Sequence, residues 1–192
     1  MTTNNLYYYG PKLWLIMHKY AYQNNKNNIS KIYYTNMITF ILQLFPCSIC
    51  KEHFAEVLKK YPLNRYDNIF VWSFNVHNEV NVIQKKTTSP CISICEKLYE
   101  NTSDNDLIKA TFDVIFTFIP GNCGGVIKNF MFNVAELNNK DIRYYIIESL
   151  KRYYDINIPT IDWVFRIYID MCKRFKIKDP LDKQTCISFF GI

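Results

Sequence analysis

The chain has 192 residues, of which 49% are hydrophobic and 21% are charged, so we expect a packed globular protein rather than a disordered one. Five glycines and seven prolines are too few for a turn-rich β fold, and no apolar run reaches the roughly 18 residues that a membrane span needs. The net charge of +6 predicts a solvated basic face and is compatible with an anionic ligand.

Residues 1–5 have neither a positively charged start nor an apolar signal core. We therefore expect the protein to stay in the cytosol or to enter an organelle without cleavage of a signal peptide. We expect neither a membrane nor a nucleic acid among its partners, because the positive charge is mild and is not interleaved with aromatic residues in a known module.

Hydrophobic residues recur with a helical period, and no strand-like alternation lasts more than a few residues. These patterns predict an all-α protein. Residues 1–10 are expected to form an exposed arm, and residues 8–100 a four-helix bundle with a short fifth helix appended. The boundaries of these helices are predicted at Gly10-Pro11, Ser30, Pro46, Pro62, Asp67, Lys85 and Cys91.

A polar break at residues 101–104 predicts a boundary between two regions. Residues 101–192 are expected to form a second helical region, with helices at 107–119, 141–154 and 160–175 and a further segment that opens at Gly124. Nothing in the pattern of this region indicates its role.

Cys47 and Cys50 are separated by two residues, directly after Pro46 and at the predicted start of a helix. A helix N-terminus carries partial positive charge and free N–H groups, which stabilise a thiolate. The spacing alone is compatible with a redox-active dithiol, with half of a zinc site, or with two unrelated buried thiols.

Trp14, His18 and Tyr22 follow one another at intervals of four residues, so they form one stripe on a helix face. On pattern alone, such a stripe is more typical of core packing around a hydrogen-bonded histidine than of a binding site.

A second face carries His77, Asn78 and Asn81. Buried amides that lack partners cost about 1–3 kcal/mol each, so this face is a poor core surface. It is suited to a ligand rich in hydrogen-bonding edges, such as a purine or a flavin ring.

In their order along the chain, these motifs resemble the Erv/ALR family of FAD-linked sulfhydryl oxidases, over roughly residues 8–95. Together with the apparent absence of a signal peptide, the resemblance suggests a member from a large DNA virus. The matching elements are Gly10-Pro11-x-x-Trp14-x-x-x-His18, Cys47-x-x-Cys50, Trp72 and His77-Asn78-x-Val80-Asn81, with Lys86 and Cys91 at the expected distances beyond them.

The resemblance implies a helical bundle that binds FAD. It assigns Trp14, His18 and Tyr22 to the lining of the cofactor. It assigns His77, Asn78, Val80 and Asn81 to the adenine and ribose, and Lys86 to the phosphates.

The resemblance also implies a catalytic disulfide formed by Cys47 and Cys50. A dithiol of a protein substrate would attack Cys47, and its oxidation would leave both sulfurs reduced. Cys50 would then pass two electrons to the flavin, and molecular oxygen would reoxidise the flavin to give hydrogen peroxide. No metal is expected in this mechanism.

The cysteines after this pair depart from the family pattern. Family members often pair the cysteine at the place of Cys91 with another about seventeen residues later, but position 108 here is isoleucine and the next cysteine is Cys95. A Cys91–Cys95 bridge is sterically feasible at a junction between a loop and a helix. No second Cys-x-x-Cys exists, so the substrate reaches Cys47 directly or a single cysteine such as Cys186 assists from a partner subunit.

Two alternatives from other functional classes stay open. One is a zinc-binding helical module that uses Cys47, Cys50, His53 and His77, although their spacing is not that of a common zinc finger. The other is a basic interaction protein that acts through the first half of the chain.

The resemblance further implies a homodimer through the first two helices. The expected location is the cytoplasm, meaning the host cytoplasm or the virion for a viral protein, with the mitochondrial intermembrane space as the alternative.

Overall fold

The structure, a computed structural model, describes residues 3–25, 28–88, 91–122 and 124–190. Within these ranges the chain forms α-helices and one short 3-10 helix but no strand, which confirms the predicted all-α fold. No helix in these ranges combines the length and the apolar character needed to cross a bilayer. The helices are α1 (Thr3–Asn24), α2 (Asn28–Leu44), α3 (Ser48–Lys60), α4 (Ile69–Ile83), α5 (Ile92–Glu100), α6 (Asp104–Phe118), α7 (Gly124–Glu136), α8 (Lys140–Tyr153), α9 (Thr160–Arg174) and α10 (Lys183–Phe190), with the 3-10 helix at Leu63–Arg65.

α1 and α4 run antiparallel. Tyr22 packs edge-on against Phe70, with ring centroids 5.9 Å apart. Two turns nearer the start of α1, Trp14 stacks on His77, which lies two turns further along α4. The first half of α1 therefore lies beside the C-terminal end of α4.

α3 brings the cysteine pair to the same end of the bundle. A short connection joins α3 to α4, and the two helices pack as neighbours, which is typical of an antiparallel pair. Phe54 of α3 lies edge-on to Trp14, with centroids 6.4 Å apart, and so at the level of His77. Cys50, one turn closer to the start of α3, consequently lies near the C-terminal end of α4.

Side-chain caps set the starts of several helices. The Oδ1 atom of Asn68 accepts a hydrogen bond from the backbone N–H of Val71 at 2.8 Å, so α4 starts one residue later than a cap at Asp67 predicts. The hydroxyl of Ser103 accepts from the N–H of Asp106 at 3.1 Å and caps α6. Each cap satisfies an N–H group that has no partner within its helix.

The helices after residue 101 pack on α1 and α2. α6 lies along α1 and α7 along α2. An ion pair between Lys12 and Asp113 crosses the α1–α6 contact, and the side-chain amide of Asn24 donates to the Leu137 carbonyl at 2.9 Å. One hydrophobic core runs through both parts of the chain. The predicted break at residues 101–104 does separate α5 from α6, but the regions on either side of it are packed together.

Two ends of the chain differ from the sequence-based expectation. The described part of the predicted arm, residues 3–10, is helical, because α1 starts at Thr3 and continues through Pro11. A proline inside a helix removes one backbone hydrogen bond, but Tyr9 and Leu13 on either side of it are only 2% and 4% exposed, and their burial offsets that loss. α10 was not predicted; the side chain of Asp182 caps it by accepting from the Thr185 N–H at 2.8 Å.

Candidate active site

Cys47 and Cys50 form a disulfide at the start of α3, with Cα atoms 5.2 Å apart. Cys47 is the N-cap residue, and its Sγ accepts a hydrogen bond from the backbone N–H of Cys50 at 3.2 Å. Both cysteines are half-buried, whereas Ile49 between them is exposed. The helix end places free N–H groups beside the sulfur atoms, which favours a thiolate there after reduction.

A cavity of about 890 Å³ opens beside this disulfide. Its walls come from α1, α3, α4 and the end of α5, and they are mainly apolar. Among the residues predicted to form the site, those that line the cavity are Trp14, Cys50, His77, Val80, Asn81 and Lys86.

The remaining predicted residues lie outside the cavity wall. Cys47 is on the far side of the disulfide, and His18 is buried behind His77. Tyr22 packs against Phe70, and Asn78 is half-buried on α4. The exposed His53 does line the cavity.

Trp72, one of the matching elements of the family resemblance, belongs to the core. Its side chain is 1% exposed, and its Nε1 donates to the Tyr61 carbonyl at 2.7 Å. Its ring lies edge-on to Tyr34. It therefore holds α3 and α4 together and does not face the cavity.

Two histidines on different helices are hydrogen-bonded to each other. Nε2 of His18 lies 2.8 Å from Nδ1 of His77, and Nδ1 of His18 lies 2.9 Å from the hydroxyl of Ser73. The ring of His77 also stacks on Trp14, with centroids 3.9 Å apart and an angle of 8° between the planes. These contacts hold His77 in one orientation at the cavity wall.

Burial keeps both imidazoles neutral. It lowers the pKa of His18 to about 3, and the neighbouring His77 adds to this effect. Burial likewise lowers the pKa of His77 to about 4, with a further contribution from the positive charge of Lys86. A desolvated imidazole loses the hydration that stabilises its charged form, so neither ring is positively charged near neutral pH.

The end of α5 contributes a wall that we did not predict. Leu98, Tyr99 and Thr102 line the cavity, and the Tyr99 ring stacks on His18 with centroids 4.8 Å apart. The amino group of the buried Lys19 donates to the Tyr99 carbonyl at 2.7 Å, so α1 holds the C-terminal end of α5 in place. The amphipathic pattern of residues 92–100 is the sequence signal for this wall.

Tyr9 is another cavity residue that the sequence did not predict, because it was placed in an exposed arm. Its side chain is buried, and its hydroxyl is the one buried side-chain polar atom without a hydrogen-bond partner in the described part of the chain. Burial raises the pKa of Tyr9 to about 12. The hydroxyl therefore stays protonated and can donate a hydrogen bond.

Among the other described cysteines, Cys91, Cys95, Cys172 and Cys186 form no disulfide. The bridge considered between Cys91 and Cys95 is thus not formed. Cys172 and Cys186 are buried, and burial raises the pKa of the Cys186 thiol to about 12. Cys123 lies outside the described residues.

The zinc alternative finds no support in the described residues. The sulfurs of Cys47 and Cys50 form a disulfide, and His77 is hydrogen-bonded to His18. No group of three histidine, cysteine or acidic side chains in the described ranges could hold a metal ion.

A smaller cavity of about 430 Å³ lies between α8 and α9. Its lining includes Tyr145, Arg152 and Arg174 but none of the described cysteines or histidines. It therefore offers no group for redox chemistry.

The model of the Erv1/Alr family matches residues 11–101, which contain α2 to α5 and most of α1. This part of the chain includes Cys47, Cys50 and nearly all of the cavity wall. No solved structure matches the chain significantly.

Several curated proteins are similar to the same part of the chain. The FAD-linked sulfhydryl oxidase of African swine fever virus is 30% identical over 106 residues, which cover 53% of this chain and 85% of the viral protein. The FAD-linked sulfhydryl oxidase ERV2 of Saccharomyces cerevisiae is 33% identical over 66 residues, covering 33% of this chain and 34% of the yeast protein. The FAD-linked sulfhydryl oxidase ERV1 of Arabidopsis thaliana is 28% identical over 86 residues, covering 43% of this chain and 45% of the plant protein.

The viral relative is matched over most of its own length, and the family model covers the helices that build the cavity and its disulfide. The chain therefore belongs to the Erv1/Alr family.

Proposed function

We propose that this protein forms disulfides in protein substrates at its Cys47–Cys50 pair and delivers the electrons to molecular oxygen, with release of hydrogen peroxide. As a member of the Erv1/Alr family, it is an FAD-linked thiol oxidase. One observation carries the proposal: a disulfide whose Cys50 lines a cavity large enough for a dinucleotide cofactor.

The cavity fits FAD in size and in chemistry. Its volume of about 890 Å³ lies within the roughly 300–1,000 Å³ that is usual for ligand sites. Trp14 and Tyr99 supply aromatic faces, Asn81 supplies an amide, and Lys86 supplies a positive charge. The buried hydroxyl of Tyr9 lacks a protein partner, as expected where a ligand completes a wall.

Trp14, His77, Val80 and Asn81 would hold the rings and sugars of FAD, and Lys86 would contact its phosphates. His18, Tyr22 and Asn78 do not line the cavity, so we expect their effects on FAD to act through residues that do.

The two sulfurs have different surroundings, which supports different roles. Cys50 lines the cavity and Cys47 does not. A substrate thiolate attacks Cys47 Sγ, the bond between the two sulfurs breaks, and Cys50 leaves as a thiolate. A second substrate thiolate then attacks the mixed disulfide, so the substrate leaves oxidised and both cysteines are reduced.

The N-terminus of α3 favours this exchange, because the Cys50 N–H that now points at Cys47 Sγ also stabilises negative charge on that sulfur. The chemistry that bound FAD supplies is a two-electron transfer from the reduced pair to oxygen. Cys50 lines the cavity wall, which supports its role as the sulfur that would donate electrons to that cofactor.

The purified protein tests the proposal directly. We expect a yellow protein with flavin absorption that is bleached by dithiothreitol and recovers in air, together with oxygen consumption and peroxide release. Cys47→Ser and Cys50→Ser should each retain FAD but lose dithiol oxidation, since either change removes the disulfide.

Cys91→Ser is the matched control, because Cys91 forms no disulfide, and it should keep the wild-type rate. Wild-type oxygen consumption in either active-site variant would refute the mechanism. A colourless protein that releases zinc would refute the oxidase altogether.

The cytoplasm stays the proposed location, with the mitochondrial intermembrane space as the alternative. Fractionation of cells that produce the protein distinguishes the two.

A further inference from the structure

Ser73 of α4 belongs to none of the motifs by which the site was predicted. Its side chain is fully buried, and its hydroxyl oxygen lies 2.9 Å from the Phe70 carbonyl oxygen and 2.9 Å from Nδ1 of His18. The hydroxyl thus connects the backbone of α4 to a histidine of α1. That histidine in turn contacts His77.

The donor and the acceptor in each of these hydrogen bonds follow from the group at the end of the series, the Phe70 carbonyl. A carbonyl oxygen only accepts, and the Ser73 hydroxyl has a single proton, so that proton goes to Phe70. The hydroxyl oxygen must then accept from His18, which places the ring proton of neutral His18 on Nδ1.

The same reasoning passes to the second ring. Nε2 of His18 has no proton and therefore accepts from Nδ1–H of His77 across the 2.8 Å contact. Both rings are neutral because both are desolvated. His77 consequently has no proton on Nε2.

Nε2 of His77 points away from the buried hydrogen bonds of Ser73 and His18. The two nitrogens of an imidazole point in nearly opposite directions, and Nδ1 of His77 points at the buried His18. His77 lines the cavity, and its plane is held by the stack on Trp14. The cavity therefore receives a hydrogen-bond acceptor at a fixed position.

We propose that Ser73 is a positioning residue that holds His77 as its Nδ1–H tautomer, so that His77 offers an unprotonated Nε2 to an N–H or O–H group of the bound cofactor. The inference rests on the proposed function in taking that cofactor to be FAD, which carries hydroxyl groups and an amino group. A phosphate group only accepts hydrogen bonds, so it does not fit at this nitrogen. The proposed function assigns the phosphates to Lys86, which also lines the cavity.

Histidine ¹⁵N NMR of the wild-type holoprotein tests the tautomer itself. The chain has three histidines, and a His53→Gln variant identifies the exposed one. We expect His18 and His77 both to carry their proton on Nδ1. A proton on Nε2 of His77 would overturn the proposal.

FAD titration of three variants tests the consequence. Ser73→Ala removes the acceptor for His18, so His77 can take the other tautomer, and we expect FAD to bind about fivefold to tenfold more weakly. Ser73→Thr keeps the hydroxyl and should restore wild-type affinity and the wild-type tautomers. Ser149→Ala is the control, because Ser149 is also buried but lies on α8.

Wild-type affinity in Ser73→Ala, or equal losses in Ser73→Ala and Ser73→Thr, would contradict the positioning role. A wild-type protein that does not bind FAD would contradict the proposed function instead. The tautomers of His18 and His77 would still decide the role of Ser73 in that case.

Discussion

At the level of single residues, the two hydrogen-bonded histidines show what helical spacing predicts and what it does not. The spacing of His18 from Trp14, and of His77 from Asn81, predicted which residues share a face. It did not predict that the two imidazoles bond to each other, nor that His18 lies behind the cavity wall, because both features depend on how α1 packs on α4.

The lowered histidine pKa values predict acid sensitivity of the flavin-free protein. In the unfolded chain an imidazole takes up a proton near pH 6.5, whereas His18 and His77 in the folded chain resist protonation until about pH 3 and pH 4. Stability is therefore complete above pH 6.5 and is lost as the pH falls toward 4. We expect the free energy of unfolding to fall by about 4 kcal/mol between pH 7.5 and 5, about 2 kcal/mol from each histidine.

Urea unfolding at a series of pH values measures this loss. Carboxylates with ordinary pKa values near 4 contribute little above pH 5. Asp113 contributes with the opposite sign, because burial raises its pKa, and an Asp113→Asn variant removes that contribution. A free energy of unfolding that stays constant from pH 7.5 to 5 would contradict the prediction.

At the level of helices, the contact between α1 and α6 links the cavity to the second half of the chain. Lys12 and Asp113 form an ion pair there, with side chains 26% and 10% exposed. Lys12 lies two residues before Trp14, so the pair supports the helix that carries much of the cavity wall.

A double-mutant cycle on this pair tests its contribution. Asp113→Asn leaves a lysine without its charged partner in a half-buried place, so we expect a loss of about 1–3 kcal/mol in the free energy of unfolding. Lys12→Met combined with Asp113→Asn should cost less than the sum of these two single changes, because no charge is left behind.

The exposed pair of Lys151 and Glu148 on α8 provides the control, with side chains 69% and 40% exposed. Water screens such a pair, so we expect no measurable coupling between its members. Strictly additive losses at Lys12 and Asp113 would show that their ion pair contributes nothing.

At the level of the whole molecule, α6 and α7 cover α1 and α2. The resemblance implies a homodimer through those first two helices. Here the covered faces are packed into the protein's own core, which includes Tyr20, Tyr34 and Phe112. A dimer of this chain needs surfaces that α6 and α7 leave exposed.

A fragment that ends at residue 101 tests how far the two halves depend on each other. The fragment lacks α6 to α10, which exposes the apolar sides of α1 and α2, so we expect it to aggregate or self-associate. Sedimentation and circular dichroism of the fragment and of the full chain measure this. A folded, monomeric fragment with wild-type FAD affinity would contradict the prediction, and the mass of the full chain tests the homodimer.

The sequence by itself determined what depends on neighbours along the chain. Helical periodicity predicted the all-α fold, and the spacing of Cys47, Cys50 and the His77 motif predicted the family, which the comparisons confirm. The predicted helix boundaries were wrong by a residue or more where two adjacent residues could both cap the helix, as at Asn68. α1 began earlier than predicted, because burial of Tyr9 outweighs the effect of Pro11.

Only the tertiary structure decided what depends on partners distant in sequence. It brought Tyr9 and Tyr99 to one cavity, separated Cys50 in the wall from Cys47 outside it, and joined Ser73, His18 and His77 into one chain. It also folded α6 and α7 onto α1 and α2. The physical reason is that periodicity specifies which face of a helix is apolar, whereas the choice of the helix that covers that face is made by packing in three dimensions.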